Sequence, residues 1–193
     1  MPSSGDLDTN DLVRAAQIGD QDAFEALYRL YGASVFRTAY LLLGDTGLAE
    51  EITQDVFVQV YRKLHSYCSD RGTFPAWLYT ITVRTSRNAR RRRWPWWSLD
   101  QGIAAGTEPL SDASGTLDDL LRDEKHCRIW QAVQQLSHHA REVIILRYYQ
   151  DLQYGEIAQV LTCPLGTVKS RLNAAHMQLR RALREEIHEL LSS

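Results

Sequence analysis

The sequence predicts an all-α fold of two small helical domains joined by a flexible linker, and three observations support this prediction. Apolar residues recur three and four positions apart over most of the chain, which is the period of an amphipathic helix. No alternation of period two, the signature of a half-buried strand, persists for more than a few residues. Glycine, proline and serine concentrate in one stretch, about 102–115, where the periodic pattern fades.

The length of 193 residues allows one good core or two small ones. We place the first domain at 10–97, an acidic linker at 98–116 and the second domain at 117–191. Hydrophobic residues make up 44% of the chain and charged residues 24%, which is typical of globular proteins and argues against wholesale disorder.

Three helices are predicted in the first domain. Asp20 is placed to cap a helix that ends near Gly44, because its carboxylate can accept from a free N–H of the first turn. A second helix begins after Asp45–Thr46, with Glu50 and Glu51 in its first turn. A polar loop follows, and Pro75 suits the first turn of a third helix that runs into Arg93.

The second domain contains a predicted helix-turn-helix. A helix over 117–136 is followed by Ser137, which can cap a helix over 138–149. A short helix over 154–161, a turn of three to four residues and a longer basic helix from about 166 to 191 complete the domain. In this layout the second helix of the motif enters the major groove of DNA through its N-terminal residues.

The charges are segregated along the chain, although the net charge is only −2. Six arginines and no acid lie in 84–93, seven acids lie in 100–124, and every charged residue in 157–184 is basic. Such a chain can present cationic surfaces to phosphates while its total charge stays near zero.

Several function classes are excluded by what the sequence lacks. It has no Walker loop, no nucleophile elbow, no paired carboxylates and no zinc-protease motif, so we expect no catalytic residue, no cofactor and no enzyme activity. The three cysteines are far apart and form no metal-ligand pattern, so we expect reduced thiols and no metal. No apolar run is long enough to enter a membrane, and the acidic first dozen residues do not resemble a secretory signal, so we expect a cytoplasmic protein.

Polar residues at the start of the last helix are the candidates for DNA contact. Val168, Leu172 and Ala175 supply its packing face, which leaves the opposite face available. Lysine and arginine contact phosphates and guanine, while asparagine and serine can read base edges. The candidates on this face are Thr167, Lys169, Ser170, Arg171 and Asn173.

Two blocks of sequence resemble one known family. The stretch CPLGTVKSRL, preceded by EIAQVL, resembles region 4 of bacterial sigma factors of the extracytoplasmic-function (ECF) group. DAFEALYRLYGASVFRTAYLLLGD resembles region 2.1, LAEEITQDVFVQVYRKL resembles region 2.2, and RGTFPAWLYTITVRTSRNARRRR resembles regions 2.3 and 2.4. The resemblance covers about residues 10–190, with both blocks in the expected order.

The resemblance implies a sigma factor, a dissociable and non-catalytic subunit that binds core RNA polymerase and directs promoter-specific initiation. Region 4 would read the −35 element and contact the β flap, and region 2 would read and help melt the −10 element. An anti-sigma factor would cover these surfaces. Region 2.2 docks on the β′ clamp helices in the family, and the matching polar residues are Gln54, Asp55, Gln59 and Arg62.

The loop between regions 2.3 and 2.4 captures an unpaired base of the −10 element in the family. Here it is 67–73, with Ser69, Asp70 and Arg71 as candidates, and the side chain that holds the base is left open. Trp77 could stack on a base, but its spacing favours the core.

Arginines along the third helix form a second candidate surface. Arg84, Arg87 and Arg91 recur at helical spacing and either contact −10 phosphates or form a solvated face. Arg90–Arg93 precede three tryptophans in 94–97, and this run either lies along single-stranded template or packs under the linker.

One departure from the family and two rival functions remain open. Where the family carries more arginine after KSRL, this chain has Asn173–His176, which puts the usual −35 preference in doubt. A stand-alone transcription regulator would use the helix-turn-helix alone and bind duplex DNA by itself. A helical adaptor would offer its basic surfaces to an acidic protein.

Overall fold

A computed structural model describes residues 9–93 and 130–191, with side chains described as far as residue 183. All regular secondary structure in these two ranges is helical, as the sequence predicts. The linker at 98–116, the tryptophans in 94–97 and the first part of the predicted helix over 117–136 lie outside the described residues. Among the described helices, none combines the length and the apolar character that crossing a membrane requires.

The first part of the chain contains four α-helices joined by short turns. They are α1 (Thr9–Gln17), α2 (Gln21–Leu43), α3 (Thr46–Lys63) and α4 (Phe74–Arg93). Two 3-10 turns, Leu64–Ser66 and Ser69–Arg71, connect α3 to α4.

The predicted cap of α2 is confirmed, and α3 is capped by Asp45, so it begins at Thr46, slightly before the predicted start. The Asp20 carboxylate accepts from the N–H of Ala23 at 3.0 Å, and Asp45 accepts from the N–H of Leu48 at 2.8 Å. Gly44 ends α2 in the left-handed conformation, with φ at 73°, which glycine adopts without the strain of a Cβ atom.

Helix α1 was not predicted from the sequence. Its apolar stripe is short, but Val13 is only 1% exposed, and Leu12 and Ala16 pack beside it against the core. The helix contacts α2 along its length and also meets the turn at Leu64–Ser66.

The second part of the chain forms the helix-turn-helix. Residues 130–134 are helical, and α5 (His138–Tyr148), α6 (Tyr154–Leu161) and α7 (Leu165–Leu191) follow. The Ser137 side chain caps α5, as predicted. At the start of α6 the Glu156 carboxylate accepts from the N–H of Gln153 at 2.8 Å, which compensates for the absence of a serine cap.

The two parts share one hydrophobic core. The rings of Tyr40 and Trp130 stack across the junction with centroids 5.1 Å apart. Beside them the Gln134 side chain donates to the carbonyl of Leu41 at 3.1 Å. The described residues therefore form a closed arrangement, in which α5 and α6 pack against α2 and α4.

Candidate nucleic-acid interface

The start of α7 presents a polar edge to solvent. Val168, Leu172 and Ala175 are buried, as predicted, and hold this helix on α5 and α6. The candidates on the opposite face differ in exposure: Lys169, Ser170 and Asn173 are exposed, whereas Thr167 and Arg171 are half-buried.

The same edge continues onto α5 through a pair that the sequence did not indicate. The hydroxyl of Tyr148 and Nε2 of His176 lie 2.8 Å apart, and Tyr148 is 60% exposed. His176 stands in the segment where the chain departs from the family pattern. A hydrogen-bonding ring pair therefore lies on this edge, in the segment that departs from the family pattern.

The candidate base-capturing loop is short and well braced. Ser69, Asp70 and Arg71 form a 3-10 turn and are all exposed. Across the loop the hydroxyl of Tyr67 donates to the carbonyl of Gly72 at 3.1 Å. Gly72 has φ at 145°, a conformation that side chains other than glycine rarely adopt.

This loop forms one wall of a cleft of about 800 Å³. The other walls are the start of α1, with Thr9 and Asn10, and residues of the helix-turn-helix between Gln150 and Gln159. The volume lies within the range of about 300–1,000 Å³ that is typical of ligand pockets. Trp77 is not a wall of this cleft; it packs against the core beside Tyr67 and Phe74, as its spacing indicates.

The helix-turn-helix contacts the loop directly. The hydroxyl of Thr73 donates to the Glu156 carboxylate at 2.6 Å. A Cβ atom added to Gly72 would lie 3.1 Å from Oε1 of Gln159, so α6 closely approaches the loop backbone.

The three arginines that recur along α4, Arg84, Arg87 and Arg91, have different surroundings. Arg84 and Arg91 are exposed, and Arg91 donates to the side chain of Asn88. Arg87 instead faces α5, where its Nε and Nη2 donate to the two carboxylate oxygens of Glu142 at 2.7 and 2.6 Å. Glu142 is only 3% exposed, and its hydrogen bonds raise the pKa of Arg87, which therefore stays charged.

The Arg87–Glu142 pair is one polar tie between the two parts of the chain, and Gln150 provides a second. Its Oε1 accepts from the hydroxyls of Ser34 at 2.7 Å and Tyr79 at 2.6 Å. Its Nε2 donates to the hydroxyl of Thr38 at 2.7 Å. Both ends of this amide are therefore bonded to α2 or α4.

A third tie is the guanidinium of Arg141, which is 8% exposed. It donates to the carbonyl of Leu42 at 3.3 Å and to carbonyls of Val133, Gln134 and Leu136 at the start of the second part. Burial lowers the pKa of Arg141 to about 10, so it remains charged at neutral pH.

His138 lies beside this cluster of charges. Burial and the nearby guanidinium groups of Arg90 and Arg141 lower its pKa to about 4. The ring is therefore neutral at neutral pH. No group of side chains suited to a metal ion is found in the parts of the chain that the structure describes.

The candidate polymerase surface lies on the outer side of α3. Gln54, Asp55 and Arg62 are exposed there, as predicted. Gln59 is half-buried, and its amide donates to the hydroxyl of Thr85 on α4 at 3.0 Å, so this residue also braces the helix pair.

Sequence reasoning missed two apolar members of this surface. Val58 is 49% exposed and Tyr61 is 64% exposed. The rings of Tyr61 and Phe24 meet edge to face, with centroids 5.2 Å apart. Exposed tyrosine and aliphatic side chains beside polar ones are typical of protein interfaces. The available signal was that both residues stand among the polar candidates at 54, 55, 59 and 62.

Comparisons with known proteins agree with this arrangement. The family model for sigma-70 region 2 matches residues 27–95, and the model for sigma-70 region 4 matches residues 128–185. The chain is 33% identical to the RNA polymerase sigma-H factor of Pseudomonas aeruginosa in an alignment that covers 92% of this chain and 95% of that protein. It is also 33% identical to the ECF RNA polymerase sigma factor SigW of Bacillus subtilis in an alignment that covers 90% of this chain and 95% of that protein.

Two solved structures share the fold. CnrH, solved in complex with the cytosolic domain of CnrY, superimposes with a TM-score of 0.67 at 22% identity, over 93% of this chain and 99% of that chain. The sigma factor RpoE of Bartonella quintana, solved in complex with the anti-sigma factor NepR, gives a TM-score of 0.64 at 24% identity, over 83% of this chain and 96% of that chain. The region models and the near full-length relatives show that this chain belongs to the sigma-70 family of RNA polymerase sigma factors, in its ECF group.

Proposed function

We propose that the protein binds core RNA polymerase in the cytoplasm and directs promoter-specific initiation without catalysing a reaction itself. The observation that carries the proposal is the presence, in one chain, of a helix-turn-helix with an exposed polar edge on α7 and of a braced loop with exposed polar side chains. The edge suits the major groove of duplex DNA, and the loop suits a single base that has left the stack.

In this proposal α7 reads the −35 element. Lys169 and Arg171 supply positive charge for phosphates or guanine, and Ser170 and Asn173 supply groups for base edges. The exposure of Lys169, Ser170 and Asn173 supports these roles. The Tyr148–His176 pair extends the edge by one further hydrogen-bonding group.

The −10 element is handled by the loop and α4. Ser69, Asp70 and Arg71, which are exposed on the loop, take the unpaired base once α6 has moved away from it. Arg84 and Arg91 are exposed and contact phosphates of the neighbouring strand. The polymerase clamp binds the outer side of α3 through Gln54, Asp55 and Arg62, together with the exposed Val58 and Tyr61.

Reading both elements requires the closed arrangement to open. Elements named for positions −10 and −35 lie about 25 base pairs apart, which is about 85 Å of duplex at about 3.4 Å per base pair. A compact chain of this length has a radius of gyration of only about 16 Å. A linker as long as the predicted 98–116 spans up to about 65 Å when extended, which together with the width of the two domains is enough for the separation.

An anti-sigma factor is the proposed regulator of this opening. The RpoE relative was solved with one, and its fold is shared by this chain. A regulator that binds both parts at once would stabilise the closed form, in which the contacts of Arg87, Gln150 and Arg141 are made, and would keep the protein inactive.

Run-off transcription tests the proposed function. Core polymerase is assayed with and without the purified protein on sheared host DNA, and the 5′ ends of the RNA are sequenced. New start sites that share two upstream elements are the expected result and define the promoter. Absence of new starts together with failure to co-elute with core polymerase would overturn the proposal in favour of the stand-alone regulator or the adaptor.

A further inference from the structure

We propose that Gln17, at the end of α1, is a positioning residue that sets the shape of the base-capturing loop. The inference rests on the proposed function and extends it to α1. This helix lies outside the segment that the region 2 family model matches, residues 27–95. It starts from the contacts that α1 makes with the turn after α3.

Helix α1 is held rigidly enough to serve as a support. Val13 is 1% exposed and packs into the core between the helices of the first part. At the other end of α1 the hydroxyls of Thr9 and Tyr31 lie 3.2 Å apart. The helix is thus fixed to α2 at both its middle and its start.

Gln17 reaches from this support to the loop backbone. Its Nε2 donates to the carbonyl of Leu64 at 2.9 Å and to the carbonyl of Tyr67 at 2.9 Å. These residues are 47 and 50 positions away in sequence, so the contacts are tertiary. One amide therefore fixes both ends of the turn that leads into the loop.

Tyr67 transmits this constraint across the loop. Its carbonyl is held by Gln17, and its hydroxyl donates to the carbonyl of Gly72 at 3.1 Å. Its ring meets Phe74 edge to face at 5.6 Å, which fixes the side chain between the two bonds. The exposed turn at Ser69–Arg71 therefore lies between two fixed backbone positions, the carbonyls of Tyr67 and Gly72, and Tyr67 takes part in fixing both.

Such bracing affects recognition through entropy and geometry. A loop that is ordered before binding loses less conformational freedom when a base enters, so binding is tighter. Discrimination between bases needs hydrogen-bonding groups at fixed positions, because a mobile loop can adapt to the wrong base. Gln17 accordingly contributes to the choice of base although it is not required to touch the base.

The test uses holoenzyme assembled from core polymerase and the full-length protein. Its dissociation constants are measured for single-stranded −10 oligonucleotides, defined by run-off mapping, that differ only at the unpaired base. Gln17→Glu keeps the size of the side chain but removes the N–H donor, and Gln17→Ala removes the amide altogether. Gln21→Ala is the matched control, because Gln21 is an exposed glutamine at the start of α2.

We expect both Gln17 variants to bind the preferred oligonucleotide about tenfold more weakly, as loss of two hydrogen bonds implies. The ratio between preferred and disfavoured bases should fall toward one, while affinity for −35 duplex and for core polymerase stays at the wild-type level. Gln21→Ala should match the wild type in every measurement.

Two results would overturn the inference, and they differ from failure of the proposed function. Wild-type affinity for every oligonucleotide in both Gln17 variants would exclude any role of Gln17 in base binding. Equal weakening for all four bases, which leaves the base ratio unchanged, would indicate general destabilisation instead of positioning. If wild-type holoenzyme shows no promoter-specific starts and binds no −10 oligonucleotide, the proposed function fails and the positioning role fails with it.

Discussion

The two proposed DNA-reading surfaces differ in what covers them in the closed arrangement. At the start of α7, Lys169, Ser170 and Asn173 are exposed to solvent. On the −10 side, Arg87 is held by Glu142 and the loop is contacted by α6 through Thr73 and Glu156. The closed protein therefore presents the −35 reader and partly covers the −10 reader.

This difference implies an order of events in the proposed mechanism. The Glu142 carboxylate accepts from Arg87 in the bidentate manner in which arginine also binds a phosphate. DNA at −10 must displace Glu142 from Arg87. The apparent affinity of the −10 surface for DNA is therefore its intrinsic affinity multiplied by the fraction of molecules that are open. Duplex DNA at −35 has no such competitor among the contacts described for Lys169 and Asn173.

Replacement of the buried carboxylate should have the largest effect on this comparison. In Glu142→Gln the charge-assisted bonds to Arg87 are lost, which weakens the closed form by about 1.5–3 kcal/mol. We expect more than about tenfold tighter binding of single-stranded −10 DNA by the free protein, with −35 duplex affinity unchanged. Fluorescence anisotropy measures both affinities, and small-angle scattering should detect a larger radius of gyration.

Glu25→Gln is the control for the charge change. Glu25 forms an exposed ion pair with Arg29 within α2, so its loss changes the net charge equally but leaves the contact with α5 intact. If Glu142→Gln and Glu25→Gln behave alike, then the Arg87–Glu142 pair does not compete with DNA.

A change at the start of α7 should have a smaller effect, confined to the −35 element. Arg171→Ala is expected to reduce promoter output about fivefold without unfolding the chain, because one contact with DNA is lost. Log affinity for the −35 duplex falls with log salt concentration, and the steepness of this fall should be smaller by about one in the variant, because one phosphate contact is lost. Arg180→Ala is the control, since Arg180 is exposed further along α7. Unchanged output from Arg171→Ala at normal expression would refute the assignment of α7 as recognition helix.

Acidification should give the smallest effect, and it should act on the covered side. The pKa of His138 is lowered from 6.5 to about 4 in the closed arrangement, by burial first and then by Arg90 and Arg141, while Glu142 opposes the shift. A lowered histidine pKa means that the open form takes up the proton more readily. The closed form is therefore fully stable above about pH 6.5 and is weakened as the pH falls toward 4.

The expected shift between pH 7 and pH 5.5 is only about two- to threefold toward the open form, because His138 is an exposed residue and solvent screens most of the effect of its lowered pKa. Fluorescence energy transfer between the two parts of the chain measures this shift. His138→Asn should remove it, and His65→Asn, a change at an exposed histidine, should not. A shift that persists unchanged in His138→Asn would mean that other groups cause the opening.

Much of the helical framework was predictable because its signals are local. Asp20 and Ser137 cap the helices that the sequence assigned to them, and α6 has the predicted bounds. The last helix begins at Leu165, one residue before the predicted start. Helix α1 escaped prediction because its stripe spans barely two turns, although Asp11 in its first turn was an available signal.

The candidate site was predictable only in part. Lys169, Asn173 and Asp55 are exposed, as their helical positions indicate. Gln59 and Arg87 occupy equally polar positions, but Gln59 bonds to Thr85 on α4, and Arg87 bonds to Glu142 on α5. A polar side chain on a helix face predicts access to water only until another element is packed there.

The sequence by itself determined the family, the helices and the segregation of charge, since caps, period and motifs act over a few residues. Only the tertiary structure decided that Gln150 of the second part bonds to α2 and α4 of the first and that the Glu142 carboxylate accepts from Arg87. It also decided that Gln17 braces the loop. These contacts join residues 116, 71, 55 and 50 positions apart. No local pattern specifies such pairs, because each forms only after the apolar faces have packed and fixed which helices lie side by side.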